Sequence, residues 1–104
     1  MLELWQTEWC PASRRVRQRL TELGLDYLVR QVPVERADRV LLREHTGGET
    51  IPVLVVPGRA PFVGEDAIAA YLDACVPVPV GAVEHRVKAE KARRRWLEEE
   101  CRCP

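Results

Sequence analysis

The first third of the chain switches between two hydrophobic periods. Residues 2–7 alternate apolar and polar side chains, which is typical of a half-buried strand, whereas Val16, Leu20 and Leu23 recur at helical spacing. The spacing predicts a helix over residues 11–23 that stops at a glycine, followed by a strand over the β-forming residues 26–32. A strand, a crossover helix and a second strand in this order predict two parallel strands.

A second helix and a hairpin follow. Residues 35–45 carry apolar side chains on one face of a predicted helix, at positions Ala37, Val40 and Leu41. The apolar run 51–56 and the shorter run 59–64 are separated by a Pro-Gly turn, so they predict an antiparallel hairpin.

Two more helices complete the pattern. Residues 65–75 predict an amphipathic helix with Ile68, Tyr71, Leu72 and Cys75 on its apolar face. The proline-rich residues 76–81 cannot continue it and predict a stiff connector. A charged helix is expected from residue 82 to about residue 100, packing through Trp96, with residues 101–104 as a structureless tail. We therefore divide the chain into a folded domain over residues 1–76 and an appended segment over residues 77–104.

The outer face of the first predicted helix is strongly charged. We interpret this face as solvated rather than as a binding patch; its members are Arg14, Arg15, Arg17, Gln18, Arg19 and Glu22.

Composition narrows the class of protein. With 104 residues there is room for one core, and 16 basic against 16 acidic residues give a net charge of zero, which argues against nucleic acid or an anionic membrane as partner. No apolar run approaches the roughly 18 residues that span a bilayer, and the N-terminus lacks a signal-peptide pattern, so we expect a cytoplasmic protein. The four cysteines show neither disulfide-framework nor metal-ligand spacing, and no metal is expected.

The candidate reactive group is Cys10, at the predicted turn from the first strand to the first helix. Pro11 suits the first helical position, which leaves Cys10 near the N-cap, facing the free N–H groups and positive dipole end of the helix. A thiol there ionises more readily, and Arg14 and Arg15 add positive charge while Glu8 opposes it. The alternative interpretation is that Cys10 is one more small buried apolar residue.

Taken in order, the elements and three short motifs resemble the thioredoxin fold, and within it glutaredoxins and the N-terminal domains of glutathione transferases. The resemblance covers residues 2–75 and predicts an α/β, thioredoxin-like fold (β-α-β-α-β-β-α) with an additional C-terminal helix. The motifs are Trp9-Cys10-Pro11-Ala12-Ser13, Thr50-Ile51-Pro52-Val53 and Gly64-Glu65-Asp66.

This resemblance implies a glutathione site. Pro52 is expected to be a cis-proline facing Cys10, with the Ile51 backbone pairing with a bound thiol peptide. Glu65 and Asp66 would meet the γ-glutamyl end of glutathione, although both also suit a simple cap of the third helix. The expected catalytic residues are Cys10 and Ser13, and the expected glutathione-binding residues are Cys10, Pro11, Thr50, Ile51, Pro52, Glu65 and Asp66.

The sequence departs from these families at three points. Thr7 stands where glutaredoxins usually carry a lysine that grips a glutathione carboxylate, and Ser13 replaces the second cysteine of a dithiol motif. Only about 28 residues follow Val76, too few for the helical second domain of a complete transferase.

The leading functional hypothesis is a monothiol glutaredoxin-like oxidoreductase. It would use glutathione or a similar low-molecular-weight thiol as co-substrate and would act on glutathionylated or disulfide-containing proteins through Cys10. Two alternatives stay open. One is a non-catalytic, transferase-like binding module, with an ordinary thiol pKa and stable self-association. The other is a [2Fe–2S] carrier, in which Cys10 from two subunits and two glutathiones ligate the cluster; such relatives typically have Gly where Pro11 stands.

Overall fold

The structure is a computed structural model that describes residues 1–95. The chain forms β1 (Leu2–Gln6), α1 (Pro11–Glu22), β2 (Tyr27–Gln31), α2 (Val40–Thr46), β3 (Val53–Val55), β4 (Phe62–Val63), α3 (Glu65–Cys75) and α4 (Ala82–Arg94). The predicted element order and the additional helix are confirmed. None of the helices in residues 1–95 combines the length and apolar character needed to cross a bilayer. Trp96, our predicted anchor, and the tail 101–104 lie outside the described residues.

The four strands form one mixed sheet in the order β2-β1-β3-β4. β1 and β2 are parallel, as the crossover predicts, with Leu4 opposite Val29. β3 runs antiparallel to β1 and pairs with β4 as the predicted hairpin. The C-terminal end of β1 therefore leads directly into the turn that carries Cys10.

Successive residues of the central strands β1 and β3 pack into two separate hydrophobic cores, one on each face of the sheet. On one face, Leu4 and Leu54 pack with residues of α1 and α3, such as Leu20 and Ile68, all four of which are fully buried. On the other face, Trp5 and Val53 pack against Leu42 of α2. This division follows from the two-residue period of a strand. The sheet thus lies between α1 and α3 on one side and α2 on the other.

Our prediction of a continuous helix over residues 35–45 is wrong. A short 3-10 turn (Arg36–Asp38) comes first and α2 begins only at Val40. Between them Arg39 is buried, and its guanidinium donates to the carbonyls of Pro33, Val34 and Glu49 at 2.7–3.0 Å. The face we expected to be apolar points outward, since Val40 and Leu41 are 50% and 62% exposed.

The charged face of α1 is only partly solvated, which corrects a second prediction. The Glu22 side chain is 3% exposed and accepts two hydrogen bonds of 2.9 Å from Arg86 of α4. The hydrogen bonds from Arg86 contribute most to the lowered pKa of Glu22, whereas burial of the carboxylate acts to raise that pKa. With buried Ala82, this ion pair holds α4 against α1. Cys75, which we expected on the apolar face of α3, is exposed.

Candidate functional site

Cys10 occupies the N-cap of α1, and Pro11 is the first residue of the helix, as the sequence predicted. The backbone of Cys10 is extended (φ −71°, ψ 120°), and its carbonyl accepts the first helical hydrogen bond, from Arg14 N, at 3.0 Å. The sulfur in turn accepts a hydrogen bond from the backbone N–H of Ser13 at 3.4 Å. A helix N-terminus therefore directs a free donor at the thiol.

The pKa of the Cys10 thiol lies below its ordinary value. Burial of the half-buried thiol opposes ionisation, but hydrogen bonds from the Ser13 side chain and from the backbone N–H groups of Ser13 and Ala12 outweigh it, with a smaller contribution from the charge of Arg15. These donors favour the thiolate over the thiol. This direction is the one that the strand-to-helix position of the cysteine predicted.

Ser13 links the active turn to the end of β1. The serine is fully buried, and its Oγ accepts a hydrogen bond from Thr7 N at 3.5 Å. Thr7 itself is 3% exposed, and among the described residues its hydroxyl has no hydrogen-bond partner. At the position where glutaredoxins usually carry a lysine, this chain therefore has a residue that turns its side chain into the protein and holds Ser13 through its backbone.

The Ile51–Pro52 peptide bond is cis, as the resemblance implied. Pro52 is buried, Ile51 is half-buried and Thr50 is exposed. The carbonyl of Pro52 accepts a hydrogen bond of 2.8 Å from Gly64 N, the residue at the N-cap of α3. The cis-proline loop and the start of α3 are thereby fixed to each other.

Glu65 is bound by an arginine of the first helix. Arg15 donates to both carboxylate oxygens of Glu65, at 2.5 and 2.9 Å, and this contact is the first cause of the lowered pKa of Glu65 and the raised pKa of Arg15. Gly64 at the N-cap has no side chain to cap α3, and Glu65 and exposed Asp66 both lie in the first turn of that helix, where the dipole favours negative charge. Arg15 thus acts electrostatically on both Cys10 and Glu65.

The residues on both sides of Cys10 are exposed. Trp9, directly before Cys10, is 60% exposed, and Pro11 after it is also exposed. A groove of about 190 Å³ between α1 and α3 is lined at one end by Arg15 and Glu65 and further along by Ile68 and Leu72. Among residues 1–95, no group of three or more His, Cys, Asp or Glu side chains lies close enough together to hold a metal ion.

Two residues of this region escaped the sequence prediction. Arg15 was expected only as a charge near the thiol, because the chain gives no sign that it meets Glu65, 50 residues away. Arg17 was placed on a solvated face, yet its guanidinium contacts the loop that precedes Cys10. For Arg17 a local signal existed, since it lies seven residues after Cys10 and therefore two helical turns along the same face.

Comparison with known proteins agrees with this geometry. The family model for the glutathione S-transferase N-terminal domain matches residues 9–75. No curated protein matches. A glutathione S-transferase from Methylobacillus flagellatus, crystallised with glutathione bound, is 28% identical with a TM-score of 0.64, over 76% of this chain and 39% of that one. A transferase from Methylobacterium radiotolerans, in complex with glutathione sulfonate, is 26% identical with a TM-score of 0.66, over 75% and 36%.

A glutaredoxin shares the fold at lower identity. The buckwheat glutaredoxin, solved as a glutathione complex, is 22% identical with a TM-score of 0.58, over 70% of this chain and 68% of that one. These likenesses confirm the thioredoxin-like fold. The chain spans less than two fifths of the length of the M. radiotolerans transferase and 39% of that of M. flagellatus.

Proposed function

Because the chain belongs to the glutathione S-transferase N-terminal domain family, we propose that it is a monothiol, glutaredoxin-like thiol-disulfide oxidoreductase. It uses glutathione or another low-molecular-weight thiol through Cys10. The observation that carries this proposal is the environment of the Cys10 sulfur, which accepts a helix N-terminal hydrogen bond and has a lowered pKa. The glutathione complexes of the similar transferase and glutaredoxin support the choice of thiol.

The proposed reaction has two exchange steps. The Cys10 thiolate attacks the glutathione sulfur of a mixed disulfide, the old S–S bond breaks, and the substrate leaves as a thiolate that takes a proton from water. Cys10 is then disulfide-bonded to glutathione. A second glutathione thiolate attacks the glutathione sulfur of this adduct, which forms oxidised glutathione and regenerates the Cys10 thiolate. Ser13 donates a hydrogen bond to the thiolate but has no sulfur, so it cannot resolve the adduct.

The residues that we propose to bind glutathione belong to three segments: the turn that carries Cys10, the cis-proline loop and the first turn of α3. In the proposed complex the Ile51 backbone, set by the cis-proline Pro52 and preceded by Thr50, pairs with the peptide backbone of glutathione, while Pro11 packs against it. The γ-glutamyl end reaches the N-terminus of α3, where the free N–H groups receive its carboxylate and Glu65 and Asp66 hold its ammonium. The ammonium must therefore compete with Arg15 for Glu65.

The proposed macromolecular substrates are glutathionylated or disulfide-containing proteins. The exposed indole of Trp9 beside the thiol offers an apolar contact to such a chain. Cys10 is a free thiol, and a free nucleophilic thiol persists in a reducing compartment, which supports a cytoplasmic location. Residues 1–76 form the catalytic domain in this proposal, and residues 77–104 are appended to it.

One observation favours a second candidate, a non-catalytic binding module. The carboxylate of Glu65 is already occupied by a two-point contact with Arg15, which leaves it less available to the ammonium of a glutathione co-substrate. A binding module has no need of an ionised thiol, however. The two candidates therefore differ in whether Cys10 catalyses thiol-disulfide exchange.

Turnover of a glutathionylated peptide by reduced glutathione separates them. The wild-type chain is expected to accelerate release of the peptide thiol, and Cys10→Ser is expected to abolish the acceleration, with Cys75→Ser as the matched control for an exposed cysteine. Titration calorimetry of Cys10→Ser with glutathione measures binding without chemistry. Glutathione binding without any turnover by the wild type would refute the oxidoreductase and favour the module.

A further inference from the structure

A buried polar network lies directly beneath the loop that carries the thiol. Arg17 of α1 reaches back across this loop, and its guanidinium donates to the Gln6 side-chain oxygen, to the Thr7 carbonyl at 3.2 Å and to the Glu8 carbonyl at 3.5 Å. Its side chain is only 20% exposed. One side chain therefore holds three consecutive residues that connect β1 to Cys10.

The partners of Arg17 are themselves fixed. Gln6 is fully buried, and its amide nitrogen donates to Glu8 Oε1 at 2.9 Å and to Gln31 Oε1 at 3.2 Å. Glu8 and Gln31 are exposed, but Gln6 is fully buried, so loss of its bonds would leave a desolvated amide behind. The loop position is thus set from below by Arg17 and Gln6.

The backbone of Thr7, through the peptide groups on either side of its Cα, joins this network to the thiol. Its carbonyl accepts from Arg17, and its N–H donates to Ser13 Oγ at 3.5 Å. A hydroxyl that accepts from one side has its own hydrogen free to donate elsewhere. The Cys10 sulfur, which already accepts the backbone N–H of Ser13 at 3.4 Å, is the acceptor that we assign to this hydrogen.

We propose that Arg17 is a positioning residue for the Cys10 thiolate: by holding the backbone on both sides of Thr7 it orients the Ser13 hydroxyl to donate to the sulfur. Arg17 takes part in thiol-disulfide exchange only if Cys10 performs it, so its biological use rests on the proposed function. The effect on the thiol itself does not require glutathione.

Geometry rather than charge is the basis of this role. The Glu8 carboxylate lies 3.9 Å from Arg17 and compensates its charge, whereas the cation that acts on Cys10 is Arg15. Nη1 of Arg17 donates to Gln6 Oε1 and Thr7 O, and Nη2 donates to Glu8 O, so the planar guanidinium serves the three acceptors from two nitrogens in a fixed geometry. A lysine keeps the charge but has a single nitrogen on a flexible stem, so it cannot reproduce all three contacts.

The rate of Cys10 alkylation by iodoacetamide as a function of pH tests the proposal, with Cys75→Ser as background in every protein. Only the thiolate reacts, so loss of one hydrogen bond to it should slow the reaction near pH 6 about tenfold relative to the plateau at high pH. We expect this slowing in both Arg17→Gln and Arg17→Lys. A wild-type profile in Arg17→Gln, or full recovery in Arg17→Lys, would overturn the positioning role.

A double-mutant cycle tests the route through the hydroxyl. Ser13→Ala should slow alkylation near pH 6, and Arg17→Gln should add nothing in the Ser13→Ala background, because both act through the same group. Additive slowing would contradict the route. Thr7→Val is the matched control, since it removes a hydroxyl without a partner in the described residues but keeps the backbone N–H, and it should leave the profile unchanged.

A measurement on the protein with Arg17 intact covers the case in which its variants do not fold. In ¹⁵N NMR spectra, the Thr7 amide should titrate with the same midpoint as Cys10 alkylation and lose this titration in Ser13→Ala. A Thr7 amide that is flat across that range would overturn the proposal. Because none of these readouts uses glutathione, failed peptide turnover with a positive NMR and alkylation result would refute the proposed function alone.

Discussion

Substitution of Ser13 by alanine isolates the hydroxyl that lies between Thr7 and the thiol. The backbone N–H of Ser13, which donates to the sulfur at 3.4 Å, remains in the variant. The site is fully buried, so water does not replace the lost hydroxyl. The substitution therefore removes one donor to the thiolate and one acceptor for Thr7 N.

The two losses have different magnitudes and different readouts. A hydrogen bond to a charged group contributes roughly 1.5 kcal/mol at the low end of the usual range, and about 1.4 kcal/mol corresponds to a tenfold change in thiolate population. We expect iodoacetamide alkylation of Cys10 near pH 6 to slow by about tenfold, and the rate at high pH to stay the same. The unpaired Thr7 N–H should lower the free energy of unfolding by about 1 kcal/mol, since its 3.5 Å bond is long.

The assay follows alkylation of Cys10 by peptide mass mapping from pH 5 to pH 10, together with urea unfolding. Ser13→Ala is expected to shift the pH profile to higher pH and to lower the urea midpoint slightly. An unchanged pH profile in a folded variant would refute the assignment of the Ser13 hydroxyl as a donor to the thiolate. A loss of rate at all pH values would indicate altered access rather than altered ionisation.

Three further changes have expected outcomes. Because the pKa of Cys10 is lowered in the folded state, the unfolded state binds more protons at intermediate pH. In urea unfolding, the free energy of unfolding of wild type relative to Cys10→Ser should therefore rise with pH through the folded pKa and level off above about pH 8.5. A difference that does not change with pH would contradict the lowered pKa. After exposure to oxidised glutathione, Ser13→Cys should form a disulfide between the introduced thiol and Cys10 and release two molecules of reduced glutathione, read as a 2-Da mass loss without a glutathione adduct. A glutathione adduct that persists would contradict the closeness of positions 10 and 13. Glu22→Gln should lower the free energy of unfolding by about 1.5 kcal/mol, because its hydrogen bonds from Arg86 would no longer be made to a charged carboxylate. The control Glu44→Gln, at an exposed position, should change it by no more than about 0.5 kcal/mol. Equal effects of the two substitutions would contradict the assignment of Glu22–Arg86 as a buried ion pair.

The sequence predicted features that depend on neighbouring residues. Cys10 at the N-cap follows from an alternating strand, a proline at the first helical position and an apolar helical period, all within residues 2–23. The bounds of α3 were predicted without error, because Gly64 and the proline-rich stretch after Val76 mark both ends. Such signals are local, so the chain itself displays them.

Features that depend on distant residues could not be predicted in this way. Glu22 and Arg86 are 64 residues apart, and Arg15 and Glu65 are 50 residues apart, so no spacing rule joins them. The charged face of α1 was predicted to be solvated, whereas in the folded chain its residues Arg15 and Glu22 form ion pairs with residues of α3 and α4. The helix predicted over residues 35–45 is interrupted at Arg39, whose buried side chain donates to three carbonyls of the surrounding loops.

The most direct test of the account is the intact mass of the reduced protein after exposure to oxidised glutathione, with peptide mapping across pH and Cys10→Ser as control. We predict rapid addition of one glutathione, mapped to Cys10, that persists well below pH 8 and is absent in Cys10→Ser. Slow or indiscriminate labelling, distributed over Cys75 and the C-terminal cysteines, would contradict a Cys10-centred exchange mechanism and leave the binding module as the better interpretation.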